Sequence, residues 1–143
     1  MNFAIPFRCV MVAAVLGVAA ACGSMTDAGD ASVDLRGSWR YSGEQTTGEQ
    51  VTYDGALAVT TRSGATFGGS ITVNEQNARG TVRSIAGVVG GTVYSNGIID
   101  MDVALDAATL RHVGTIAGDT LRGNWTTSDG LRSGSFRAVR TLP

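Results

Sequence analysis

Lysine is absent from the chain, and all eleven basic residues are arginine. That removes Schiff-base and ammonium chemistry. His112 is the one histidine, Cys9 and Cys22 are the only cysteines, and no serine sits in a nucleophile-elbow context. A hydrolase or transferase needs a positioned acid/base pair, so the expectation is a protein that is not an enzyme. The basic stripe of a nucleic-acid binder is missing. No helical stripe of useful length follows the first 21 residues; Asp106 to Thr109 offers one turn at most. The glycine-rich run Gly87-Val88-Val89-Gly90-Gly91 lacks the lysine and the helix of a phosphate loop. It reads as a strand bend, and no cofactor is expected.

What is present begins at the first residue. A barely charged start is followed by a 13-residue apolar run from Cys9 to Ala21, shorter than the roughly 20 residues of a membrane-spanning helix. Small residues then precede Cys22, the pattern of a secretory signal. Ala19-Ala20-Ala21-Cys22 resembles the lipobox of bacterial lipoproteins, with Ala19 where that family more often has Leu. The resemblance implies a signal peptide over 1–21, acylation of Cys22 and attachment to a membrane through its acyl chains. Gly23, rather than Asp, after the cysteine implies the outer membrane. Ordinary cleavage after Ala21 would instead leave an unpaired exported thiol. Cys9 leaves with the signal, so the 122 remaining residues must be held by their own core, enough for one domain. Their net charge is −2, a nearly balanced surface. Residues 22–34 read as a lipidated flexible tether and 35–143 as the domain.

From Leu35 onward apolar and polar residues alternate with period 2. Ile99, Met101, Val103 and Leu105 against Asp100, Asp102, Ala104 and Asp106 are the clearest case. Turn signals fall between such runs at Ser63-Gly64, Glu75-Gln76-Asn77, Ser95-Asn96-Gly97, Gly118-Asp119 and Asp129-Gly130. The expected fold is all-β, a small antiparallel up-and-down barrel of about eight strands, closed because an open sheet would expose two pairing edges. The stretch from Arg79 to Tyr94 reads as one bent strand or two short ones. A membrane-spanning barrel would need aromatic girdles and an apolar outer band, whereas Arg36, Arg40, Arg122, Asp100 and Asp102 fall on outward positions.

Gly37-Ser38-Trp39 resembles the Gly-x-Trp of the calycin barrels, the lipocalins and avidins, and Gly134-Ser135-Phe136 resembles the ending of avidin-like chains. Gly123-Asn124-Trp125 repeats the first motif. The resemblance implies that Trp39 closes one barrel end beneath an arginine of the last strand, Arg140 or Arg137. Only Trp39 and Trp125 are present, so the biotin pocket of avidins is not carried over.

The alternation points Gly37, Gly55, Gly69, Gly114 and Gly123 inward, where missing side chains either let large rings fit or, clustered at one level, leave a cavity. Tyr41, Tyr53, His112 and Trp125 share that face and are the candidate pocket residues. Asp100, Asp102 and Asp106 read as a solvated face rather than a metal site. Two readings remain. One is a lipid-anchored envelope barrel that binds a small apolar or amphipathic ligand in its interior or mouth, and it favours a shallow mouth pocket. The other is a solidly packed structural module of the envelope that meets a protein partner.

Overall fold

The computed structural model describes residues 33–106 and 108–142. The expected signal peptide, Cys22 and the tether up to residue 32 lie outside these residues. Eight strands follow one another: β1 (Gly37–Gln45), β2 (Val51–Ser63), β3 (Thr66–Asn77), β4 (Val82–Val93), β5 (Ile98–Leu105), β6 (Ala108–Ala117), β7 (Thr120–Thr127) and β8 (Ser133–Arg140). Every sequential pair is antiparallel, and β8 returns to β1 to close the barrel. Closure leaves no unpaired edge.

The period-2 pattern decides which side chains point in. Ile99, Met101, Val103 and Leu105 are all buried, and Leu57, Val59, Ile71, Val73, Val89 and Leu121 join them from the other strands in one core cluster. Eight strands enclose a space that side chains can just fill. β2 carries a bulge between Val59 and Thr61, so the alternation changes phase there and Thr60 and Thr61 are both exposed.

The structure settles one expectation that the sequence leaves open and corrects another. Arg79–Tyr94 supplies a single strand, β4, because it pairs without interruption with β3 from Val82 to Thr92. The turn placed at Glu75-Gln76-Asn77 lies a few residues later. Those three residues end β3, and the Asn77 side chain accepts hydrogen bonds from the backbone of Arg79 and Thr81, folding the chain back through Gly80. At Asp106 to Thr109, where the sequence allows one helical turn at most, Leu105 pairs with Ala108 and Asp106 has φ 45°.

At Gly55, Gly69 and Gly114 the missing side chain neither opens a cavity nor makes room for a ring. A Cβ on Gly55 would run into the Thr72 carbonyl, one on Gly69 into Ala58, and one on Gly114 into Arg122, each on the neighbouring strand. Backbone therefore fills the space, and glycine is what lets the strands bend tightly enough to close the barrel. Gly123 and Gly134 differ, since the Phe136 ring and the Trp125 indole also lie against them, and there glycine does let a large ring fit.

Candidate functional site

The two ends of the barrel are built differently. At the end where β1 begins and β8 finishes, Trp39 is buried and its indole N–H donates to the Leu35 carbonyl at 2.9 Å. The Arg140 guanidinium lies 4.3 Å over the Trp39 ring, a cation held on a π face. The same guanidinium donates to the Arg36 carbonyl (2.6 Å), the Asp34 carbonyl (2.8 Å) and the Asp119 carboxylate (2.9 Å). Arg137 instead sits on the outer face. Gly37, the glycine of Gly-x-Trp, has φ +128°, a conformation other residues rarely adopt. This end is plugged, and Val33, which precedes it, also packs against the core.

Midway through the barrel lies a polar pair. The His112 side chain is 0% exposed. Its Nδ1 is 3.0 Å from the Leu110 carbonyl and its Nε2 is 2.9 Å from the Tyr41 hydroxyl. The carbonyl can only accept, which assigns the proton to Nδ1 and makes the tyrosine hydroxyl the donor to Nε2. Both ring nitrogens are thus satisfied. Burial pushes His112 down to about 4, against a smaller upward pull from the Leu110 carbonyl, so the ring is neutral at physiological pH. Burial likewise raises Tyr41. Phe136 stacks on Tyr41 and meets His112 edge-on, so aromatic rings fill this level.

The opposite end, formed by the β1–β2, β3–β4, β5–β6 and β7–β8 connections, is open. A cavity of about 290 Å³ lies there, lined by Tyr53, Ile85, Leu105, Ala108, Leu110 and Thr127 toward the barrel interior and by Glu75, Arg83, Asp106, Ser128, Asp129 and Arg132 at the rim. Arg83 bridges Asp106 (3.0 Å) and Glu75 (3.3 Å). The Asp129 carboxylate accepts from the Thr127 hydroxyl and the Leu131 N–H, and these bonds hold it below the usual carboxylate range. Burial, followed by the Glu75 carboxylate, raises the Tyr53 phenol.

Of the four candidate pocket residues, Tyr53 lines this cavity. Trp125 packs edge-on beneath Tyr53 at 5.9 Å, while Tyr41 and His112 belong to the packed level below. The charged rim went unrecognised in the sequence. Its residues sit at strand ends and in connections far apart in the chain, where each alone looks like ordinary solvated surface. Asp100, on the outer wall, is held by the Arg111 guanidinium at 2.6 Å, and among the described residues no group of acidic, histidine or cysteine side chains is arranged to hold a metal ion.

No protein-family model and no curated protein matches the chain. Solved structures do. A de novo designed fluorescence-activating β-barrel is 18% identical with a TM-score of 0.58, covering 75% of this chain and 94% of that one. The redesigned barrel mFAP1, bound to DFHBI, is 22% identical with a TM-score of 0.59 over 74% of this chain and 94% of that one. A related structure, mFAP2b bound to DFHBI, is 15% identical with a TM-score of 0.60 over 75% and 94%. These likenesses establish the fold, a small closed eight-stranded barrel, which fits a calycin-like architecture.

Proposed function

We propose that the protein is a lipid-anchored barrel of the bacterial cell envelope that holds a small amphipathic ligand in its open mouth, without catalysing a reaction. The observation that carries this reading is the asymmetry of the ends: one is plugged by Trp39 and Arg140, the other retains a cavity of about 290 Å³ with an apolar floor and a charged rim. An apolar wall with a few placed polar groups is the usual composition of a small-molecule site. Structural neighbours bound to DFHBI support the idea that a barrel of this size can carry a small ligand. The chain's only histidine is enclosed and neutral, which supports binding over acid/base chemistry.

The anchor follows from Cys22 and its lipobox-like setting. Ten residues separate Cys22 from Val33, a span of at most about 40 Å. Because Val33 lies at the plugged end, an anchor there lets the mouth face away from the bilayer. Titration of the purified protein with 1-octanol, followed by calorimetry, tests the mouth. Saturable binding that Ala108→Phe abolishes is expected, and binding untouched by that substitution overturns the reading. Cys22→Ser is expected to move the protein from the membrane to the soluble envelope fraction; unchanged detergent partitioning argues against lipidation.

A further inference from the structure

Among the described charges that line the mouth, one makes no side-chain hydrogen bond or ion pair. Arg83 is shared by Glu75 and Asp106, and Asp129 is satisfied by Thr127 and the Leu131 N–H. Arg132 is tied into the β7–β8 turn through its backbone alone: its N–H donates to the Thr127 hydroxyl at 3.0 Å and its carbonyl accepts from Thr127. Its guanidinium makes no hydrogen bond or ion pair with any described residue. It nevertheless lines the cavity, half-buried, and its charge is felt at the Tyr53 phenol and at Asp129. Ser128 beside it offers a hydroxyl that also has no partner among the described residues. A partly desolvated guanidinium is best satisfied by an oxyanion that it can bind through two parallel N–H donors.

The surrounding charges limit that anion. The lining holds three carboxylates and two guanidiniums, so once Arg132 is neutralised by one negative charge, a second would face uncompensated carboxylates. Beneath the rim, Ile85, Leu105 and Leu110 offer an apolar floor. At the roughly 30 Å³ that a heavy atom with its hydrogens takes in a liquid such as water, a cavity of about 290 Å³ holds about ten heavy atoms.

Resting on the reading of the mouth as a ligand site, we propose that its ligand is a small monoanion with an apolar body, a medium-chain or aryl monocarboxylate, whose carboxylate is taken by Arg132 and whose body lies on Ile85, Leu105 and Leu110. Although the lining carries one more carboxylate than guanidiniums, each carboxylate is already bonded within the rim, so a cation such as octylammonium gains little there and meets the Arg132 guanidinium, while a dianion such as inorganic phosphate meets the carboxylates uncompensated.

Calorimetric titration of the full chain with octanoate, 1-octanol, octylammonium and inorganic phosphate tests this. Octanoate is expected to bind at least tenfold tighter than octanol or octylammonium, and phosphate not at all. Arg132→Gln should weaken octanoate binding about tenfold, the usual effect of losing a charge-assisted hydrogen-bonded pair, and leave octanol binding unchanged. Because the guanidinium makes no contact that holds the fold, the variant should unfold at the same denaturant concentration as the wild type. Octanol binding as tightly as octanoate, or octanoate binding indifferent to Arg132→Gln, overturns the monoanion inference while leaving the mouth as a site. Binding by none of the four probes overturns both.

Discussion

The plugged and open ends of this barrel use the same side chain in opposite ways. At the plugged end the Arg140 guanidinium is committed in every direction, to two backbone carbonyls, a carboxylate and the Trp39 ring. At the open end the Arg132 guanidinium is committed to nothing described, though its backbone is firmly bound. An arginine that completes its hydrogen bonds within the chain serves stability, and one left facing a cavity is, in the proposed reading, the one available to a ligand. The end that is finished carries the fold, and the end that is unfinished is where a ligand can act.

The comparison breaks most visibly at Trp39. Trp39→Ala removes a fully buried indole from the plug and is expected to cost about 3 to 5 kcal/mol in chemical denaturation, the usual range for a buried aromatic truncated to alanine. A loss below about 1 kcal/mol, the size of an ordinary surface change, would show that the plug does not hold the barrel.

Next comes the level between the ends. The folded protein holds His112 near 4, against 6.5 for the free group, so the unfolded chain takes up the proton first as the pH falls. Stability is therefore complete above about pH 6.5 and declines as the pH falls toward 4, by about 3 kcal/mol if His112 alone is responsible. Denaturation midpoints measured across this window should fall for the wild type and stay flatter for His112→Phe. Parallel curves would show that the ring is not the group that titrates.

The smallest effects sharpen the contrast between the two arginines. Arg140→Gln should cost about 2 kcal/mol, because it leaves the carbonyls of Asp34 and Arg36 without their donor and uncovers the Trp39 ring. Arg132→Gln should change stability by less than about 0.5 kcal/mol. Equal losses at both positions would erase the distinction between a structural and a recognition arginine.

Much of this was legible in the sequence, for a local reason. Alternation between core and solvent is written residue by residue, so the inward set Ile99, Met101, Val103 and Leu105 could be read directly, as could the all-β barrel. The residues of the mouth could not. Glu75 lies near the end of β3, Arg83 in β4, Asp106 in the β5–β6 connection and Arg132 just before β8, and nothing in their local spacing distinguishes them from other exposed charges. The role of the inward glycines is legible only in part: Gly123 lets the Phe136 ring fit, but the space beside Gly55 is taken by the backbone of the next strand, a neighbour set by register.

By itself the sequence determined the period-2 pattern and hence the strands, the inward face, the turns rich in glycine and asparagine, and a lone histidine on the buried side. Strand geometry makes those properties of adjacent residues. Only the closure of β8 onto β1 decided that Arg140 would reach the Trp39 ring, that Tyr41 would meet His112 across 71 positions, and that one mouth would be plugged while the other stayed open. Those contacts join residues distant in the chain, and their distances are fixed by the bend and stagger of the whole barrel, which no short stretch of sequence encodes.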